Sequence, residues 1–194
     1  MRGFTRKRGL YVAHLDRTER TILSRVVADT ALLLGTRLDV ERPEGEDDPL
    51  AGLAWSVDGV AEPDDPALAR LLPNASEDDE VAAEFRRLTE GDLRAAKVER
   101  LRMVWGALLA PGERLEVQPE RAMDWAAALT DVRLVLAERL GVMTDEDAEK
   151  VYQEASARRR PGSEEDEVRA ALASLYMALT WLQESLMTVM LKAL

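Results

Sequence analysis

The chain has no cysteine, a single histidine and only 5% aromatic residues. The missing thiol excludes structural disulfides, thiolate nucleophiles, zinc–thiolate sites and thiol redox switching. One imidazole, that of His14, is too few for a histidine-based metal site, and the chain carries no Ser/His or Cys/His nucleophile pattern. Carboxylates, lysine, serine, threonine and tyrosine remain as the reactive groups on offer. Long hydrophobic runs are also missing. The most apolar tract, 171–194, carries Gln183, Glu184 and Lys192, which a lipid-spanning helix would bury at high cost, so it reads as a core helix. Residues 1–15 start basic, but the apolar part from Leu10 to Leu15 is broken by His14 and too short for a secretory segment. The expected setting is the cytoplasm, with no membrane partner.

What is present suits one hydrophobic core. A chain of 194 residues with 46% hydrophobic content is long enough for a single helical domain over 1–194. The formal net charge is -11 and is unevenly spread. Residues 39–65 hold ten acids against Arg42 alone, together with Pro and Gly, and are expected to form an acidic mobile insert in which only Leu50 to Val57 is apolar enough to dock. Residues 1–20 hold six Arg or Lys against Asp16 and Glu19. Overall acidity argues against nonspecific attraction to DNA or anionic lipid. The basic head is the one contrary feature, and Arg2, Arg6, Lys7 and Arg8 read as a solvated terminus.

Periodicity gives the elements. Gly9 to Leu15 suggests a strand, and Asp16 with Glu19 makes a capping box for a first helix that Gly35 ends. Asp65–Pro66 starts a short helix closed by Pro73. Ser76 with Asp79 begins another, which is expected to bury Val81, Phe85 and Leu88. Thr89, Gly91 and Asp92 are expected to form a turn capping a further helix to about Leu108, with Leu93, Leu101, Val104, Trp105 and Leu108 inward. Arg114 to Val117 is a strand candidate that would pair with Tyr11 to Leu15. Pro119 opens a helix ending at Gly141, and Thr144 with Asp147 caps the next. A polar run from Arg158 to Glu167 precedes the last helix. There Val168, Leu172, Leu175, Leu179, Leu182, Leu186 and Val189 alternate steps of four and three, a narrow seam that suits packing within the bundle or, alternatively, homodimerisation over 168–189.

Candidate sites are few. The carboxylate clusters at Glu77 to Glu80, Asp145 to Asp147 and Glu164 to Glu167 sit at helix starts, where negative charge complements the dipole. None has the interleaved spacing of a calcium loop, and no Gly-rich phosphate loop is present. No catalytic residue, cofactor site or metal site is expected. Arg94 and Lys97 approach the apolar face of their helix, and pairing with Asp131 or Glu184 would account for them; otherwise they line a small anion or partner pocket. The two helices over 77–108 have the spacing of a helix-turn-helix. Asp92 would oppose phosphate at the start of the second, and its cations Arg94, Lys97, Arg100 and Arg102 spread around it, so DNA binding by this element is disfavoured.

Three blocks carry a family resemblance: MRGF with LDRTER; DPALARLLPNA followed by EFRRLTEGDLRAAKVERL; and WAAALTDVRLVLAERLGV with the terminal TWLQESL. Together they resemble an actinobacterial family classed as a domain of unknown function, often encoded beside the ClpS adaptor, some of whose members are named oxidative-stress transcriptional regulator AosR. The resemblance implies a non-enzymatic cytoplasmic regulator that acts on transcription through a protein partner such as a stress sigma factor, with sensing attributed to a disulfide. This chain, lacking cysteine, cannot use one. Phe85, Arg86, Arg87, Asp92, Leu93, Arg94, Lys97, Asp131, Arg133, Trp181 and Gln183 are the matching positions at which a shared surface or core is expected. The expected fold is an all-α bundle of five or six helices with a minor two-stranded ribbon. A direct DNA-binding regulator and an adaptor in ClpS-type proteolysis are the alternatives.

Overall fold

A computed structural model describes residues 1–38, 65–156 and 162–193. The acidic segment over 39–64, with the docking stretch Leu50 to Val57, and the start of the polar run, 158–161, therefore lie outside the described residues. Asp65, at the end of that segment, is placed. It caps the following helix by accepting from the Ala67 amide at 2.8 Å, and it pairs with Arg139 at 2.5 Å.

The elements are strands β1 (Arg2–Lys7) and β2 (Leu10–His14), helices α1 (Arg17–Leu33), α2 (Pro66–Leu71) and α3 (Asp79–Leu109), strand β3 (Arg114–Val117), and helices α4 (Ala122–Leu140), α5 (Asp145–Ser156) and α6 (Glu164–Leu191). The architecture is all-α, six helices with one small antiparallel sheet among the described residues. Helix α4 lies at its centre, in contact with α1, α2, α3 and α6, while α6 also packs on α5 and β1. One cluster of buried side chains runs from Phe4 through α1, α3 and α4 to Leu186.

The expected ribbon is a three-stranded sheet in the order β1-β2-β3. Pairing of β2 with β3 follows the sequence reading, with Tyr11 opposite Val117 and Ala13 opposite Leu115. The missing strand is β1, so Arg2, Arg6, Lys7 and Arg8 belong to a hairpin and not to a loose terminus. Only Phe4 of β1 is buried, so the strand shows no alternation, and a register irregularity between Arg2 and Thr5 breaks the period further. The turn is made by Arg8 and Gly9, both at positive φ (52° and 84°), the requirement of a two-residue hairpin loop.

Caps fall largely where the side chains dictate. Asp16 and Glu19 bond each other's backbone amides at 2.9 and 2.8 Å, Gly141 closes α4 in the left-handed region, and Thr144 and Asp147 exchange bonds at the start of α5. Hydrogen bonds from Lys150, the Met143 amide and Thr144 hold the Asp147 carboxyl at a pKa of about 2. One cap differs: Asp78, not Ser76, opens α3, accepting from the amides of Glu80 and Val81 at 3.0 and 3.1 Å.

The heptad of α6 points into the protein. Leu172, Leu175, Leu179, Leu182 and Leu186 are buried, with Val168 and Val189 at its half-buried ends. Its principal partner is α4, so the seam is occupied within its own fold.

Candidate functional site

Helix α3 departs most from expectation. It runs unbroken for 31 residues, through the Thr89, Gly91 and Asp92 positions at which a turn was expected. Gly91 has ordinary helical φ with open space around it, and the Thr89 hydroxyl donates back to the Phe85 carbonyl at 2.9 Å, as within a helix. There is no helix-turn-helix here, and Asp92 caps nothing. The hydroxyl, acid and glycine suggested a break, but a single interior glycine costs a helix only about 1 kcal/mol, which α3 absorbs through its docked second half.

The two halves of α3 carry their apolar residues on different faces, and only the second half buries its own. In the second half Val98, Leu101, Val104 and Leu108 are buried, with Trp105 half-buried. In the first half Val81, Phe85 and Leu88 are 55%, 51% and 61% exposed, contrary to the burial expected of them, and Leu93 is exposed as well. At about 100° per residue the stripe Val81–Phe85–Leu88 lies on the side of the helix opposite the buried residues of the second half. Its amphipathic pattern is real, and its apolar side faces away from the bundle.

Glu84 and Asp92 flank the stripe on its half of the helix, whereas Arg86, Arg87, Glu90, Arg94 and Lys97 lie on the other half. Arg87 reaches around to Glu84 at 2.7 Å and, through that bond, holds its carboxyl below the usual range. Arg86 bonds Asn74 and approaches Glu90 at 3.6 Å, and Arg94 pairs with Glu90 at 2.8 Å. Arg94 thus finds neither Asp131 nor Glu184.

The remaining candidates are structural and lie between α3, α4 and α6. Lys97 pairs with Asp131, which is buried on α4. Arg133 donates to the Gln183 side-chain oxygen at 2.7 Å and sits 5.4 Å from the centroid of the Tyr176 ring. Gln183 in turn donates to the Ala126 carbonyl at 2.9 Å and to Thr130 at 2.7 Å, tying α6 to α4. Trp181 is half-exposed near the close approach of Gly3 to α6, where a Cβ at Gly3 would meet Ser185 at 2.8 Å. The sequence candidates are therefore not one site. Lys97, Asp131, Arg133 and Gln183 lock helices together, while Phe85, Asp92 and Leu93 face outward.

One residue escaped the sequence reading. Arg20 is buried at the end of α3, where its Nε donates to the Leu108 carbonyl at 2.9 Å and its Nη2 to those of Ala107 and Ala110 at 2.6 Å. These are carbonyls that a helix C-terminus leaves unpaired. The only signal was its place on the Leu23–Val27 face of α1. Beside it a recess of about 390 Å³ is lined by Arg17, Thr21, Ser24, Leu109 and Glu113. Among the described residues no group of acids or histidine is arranged to hold a metal ion, and no helix is long and apolar enough to cross a membrane.

Fold and surface define a helical protein whose most distinctive outward feature is an apolar stripe on the free face of a long helix. Residues 1–190 match the profile of a domain of unknown function, DUF2017, and the chain belongs to that family. No curated protein and no solved structure matches it.

Proposed function

We propose that this is a non-enzymatic regulatory protein that works by contact with another protein, and that the outer half of α3 is the contact surface. The observation that supports this is the Val81–Phe85–Leu88 stripe. Three large apolar side chains at helical spacing are held in water on the face turned away from the core. Clustered exposed apolar groups rimmed by charge are a mark of protein recognition, and an amphipathic helix offers them at i, i+4 and i+7 as anchors for a partner groove.

The partner class follows from the resemblance of the motif blocks: a component of transcription such as a stress sigma factor, reached in the cytoplasm. An adaptor role in ClpS-type proteolysis would use the same stripe and differs in what it binds. Oxidant sensing, if the protein has it, does not run through a disulfide, because there is no cysteine.

The test is capture from native lysate with the full chain and with a Val81→Ala, Phe85→Ala, Leu88→Ala variant, followed by identification of retained polypeptides. The expected result is a transcription component retained by the first and lost by the second, with both folded by circular dichroism. Retention of a protease component instead would shift the reading to the adaptor. Equal retention by both proteins, or none by either, would overturn the stripe as a contact surface.

A further inference from the structure

The Val81–Phe85–Leu88 stripe is the start of a longer pattern. Steps of four and three continue from Leu88 through Asp92, Ala95, Glu99 and Arg102 to Gly106, the alternation that marks a coiled-coil seam. At about 100° per residue these positions, from Val81 to Gly106, lie within a sector of roughly 100°. All of them are exposed and α3 is helical throughout, so the seam runs about 38 Å along the outer side of one helix. The α6 heptad packs on α4, whereas this one meets solvent.

The charges within the seam say what fits it. Glu99 and Arg102 pair with each other at 2.7 Å, which leaves that part of the line neutral. Asp92 makes no ion pair among the described residues. It follows the three apolar positions directly, so a helix packed on Val81, Phe85 and Leu88 would draw its carboxylate into the interface. An acid enclosed there without a counter-charge is costly, and a cation from the partner removes the cost. A second copy of this chain supplies none. Paired parallel and in register, Asp92 faces its own copy; paired antiparallel about Phe85, it faces Asp78, the acid that caps α3. Like charge at one seam position works against such pairings.

We propose that the outer face of α3 takes a helix of a different protein as a two-stranded coiled coil, with apolar side chains on Val81, Phe85 and Leu88 and a lysine or arginine opposite Asp92. The inference rests on the stripe being a contact surface, and adds the form of the partner and the charge that fixes its register. One polar seam position is enough to set a register. The net charge of -11 also favours the approach of a basic helix over an acidic one.

Fluorescence anisotropy of labelled synthetic helices of about four heptads, titrated with the full chain, tests this. The probes carry leucine at the seam positions facing the stripe and differ only at the position facing Asp92, where they have lysine or glutamate. Each is made in both seam orders, for parallel and antiparallel pairing. The lysine probe should bind about tenfold or more tighter than the glutamate probe. Asp92→Lys should reverse that preference, whereas Glu146→Lys, an equal change of net charge at an exposed position of α5, should keep it. The Val81→Ala, Phe85→Ala, Leu88→Ala variant should weaken the lysine probe about tenfold or more. Equal binding of the two probes, or a preference that survives Asp92→Lys, would overturn the partner's charge and leave the lysate capture to judge the stripe. Binding of neither probe would overturn the coiled coil. So would a dimer in sedimentation equilibrium that the triple variant abolishes, since a second copy would then occupy the seam.

Discussion

Helices α3 and α6 carry apolar patterns of similar regularity, and the fold uses them in opposite ways. In α6 the leucines from Leu172 to Leu186 are buried against α4 and its neighbours. In the first half of α3 the stripe Val81–Phe85–Leu88 meets solvent, while the second half of the same helix turns the other side inward. Spacing alone does not say which side of a helix has a partner. What distinguishes the two is the tertiary neighbour: α4 packs along the α6 seam, whereas the α3 stripe stays exposed. Periodicity therefore reports that a face is apolar, and only the packing of the other elements decides whether it is covered.

The largest expected effect sharpens the interior side of this comparison. Asp131→Ala should lower the unfolding free energy by about 3 kcal/mol or more, since it leaves Lys97 largely buried without a counter-charge. A Lys97→Met, Asp131→Leu double replacement should recover most of that loss. Urea denaturation of the three proteins checks it; a harmless Asp131→Ala would mean that Lys97 needs no partner and remains available to a ligand.

A smaller effect of opposite sign concerns the continuity of α3. Gly91→Ala should stabilise the protein by up to about 1 kcal/mol, because alanine is the better helix former and nothing lies near the position. Had Gly91 made the expected turn at positive φ, the same change would destabilise. The sign of the shift in denaturation midpoint decides between a single helix and a helix pair.

Much of the fold was legible from residues. Capping at Asp16, Pro66 and Thr144, the stop at Gly141, the α6 seam and the β2–β3 pairing each rest on local chemistry that the structure keeps. Three features were not legible, for physical reasons. β1 has one buried side chain and so no alternation to detect. Arg20 looks like any surface arginine until α3 ends beside it. The unbroken course of α3 is set by tertiary docking from Val98 onward, which overrides weak breaking signals at Gly91 and Asp92. Of the candidate residues, Lys97 and Asp131 were correctly expected to pair. Phe85 was found by resemblance, but its exposure could not be inferred from spacing.

The account turns on the claim that the α3 stripe belongs to the surface. Its most direct test is the unfolding free energy of the Val81→Ala, Phe85→Ala, Leu88→Ala variant, measured beside Leu186→Ala from the buried seam. Leu186→Ala should cost about 2–5 kcal/mol. The triple variant should stay within about 0.5 kcal/mol of the parent or exceed it, since exposed truncations to a good helix former remove no packing. A loss in the triple variant comparable to that of Leu186→Ala would place the stripe in the core and contradict the account.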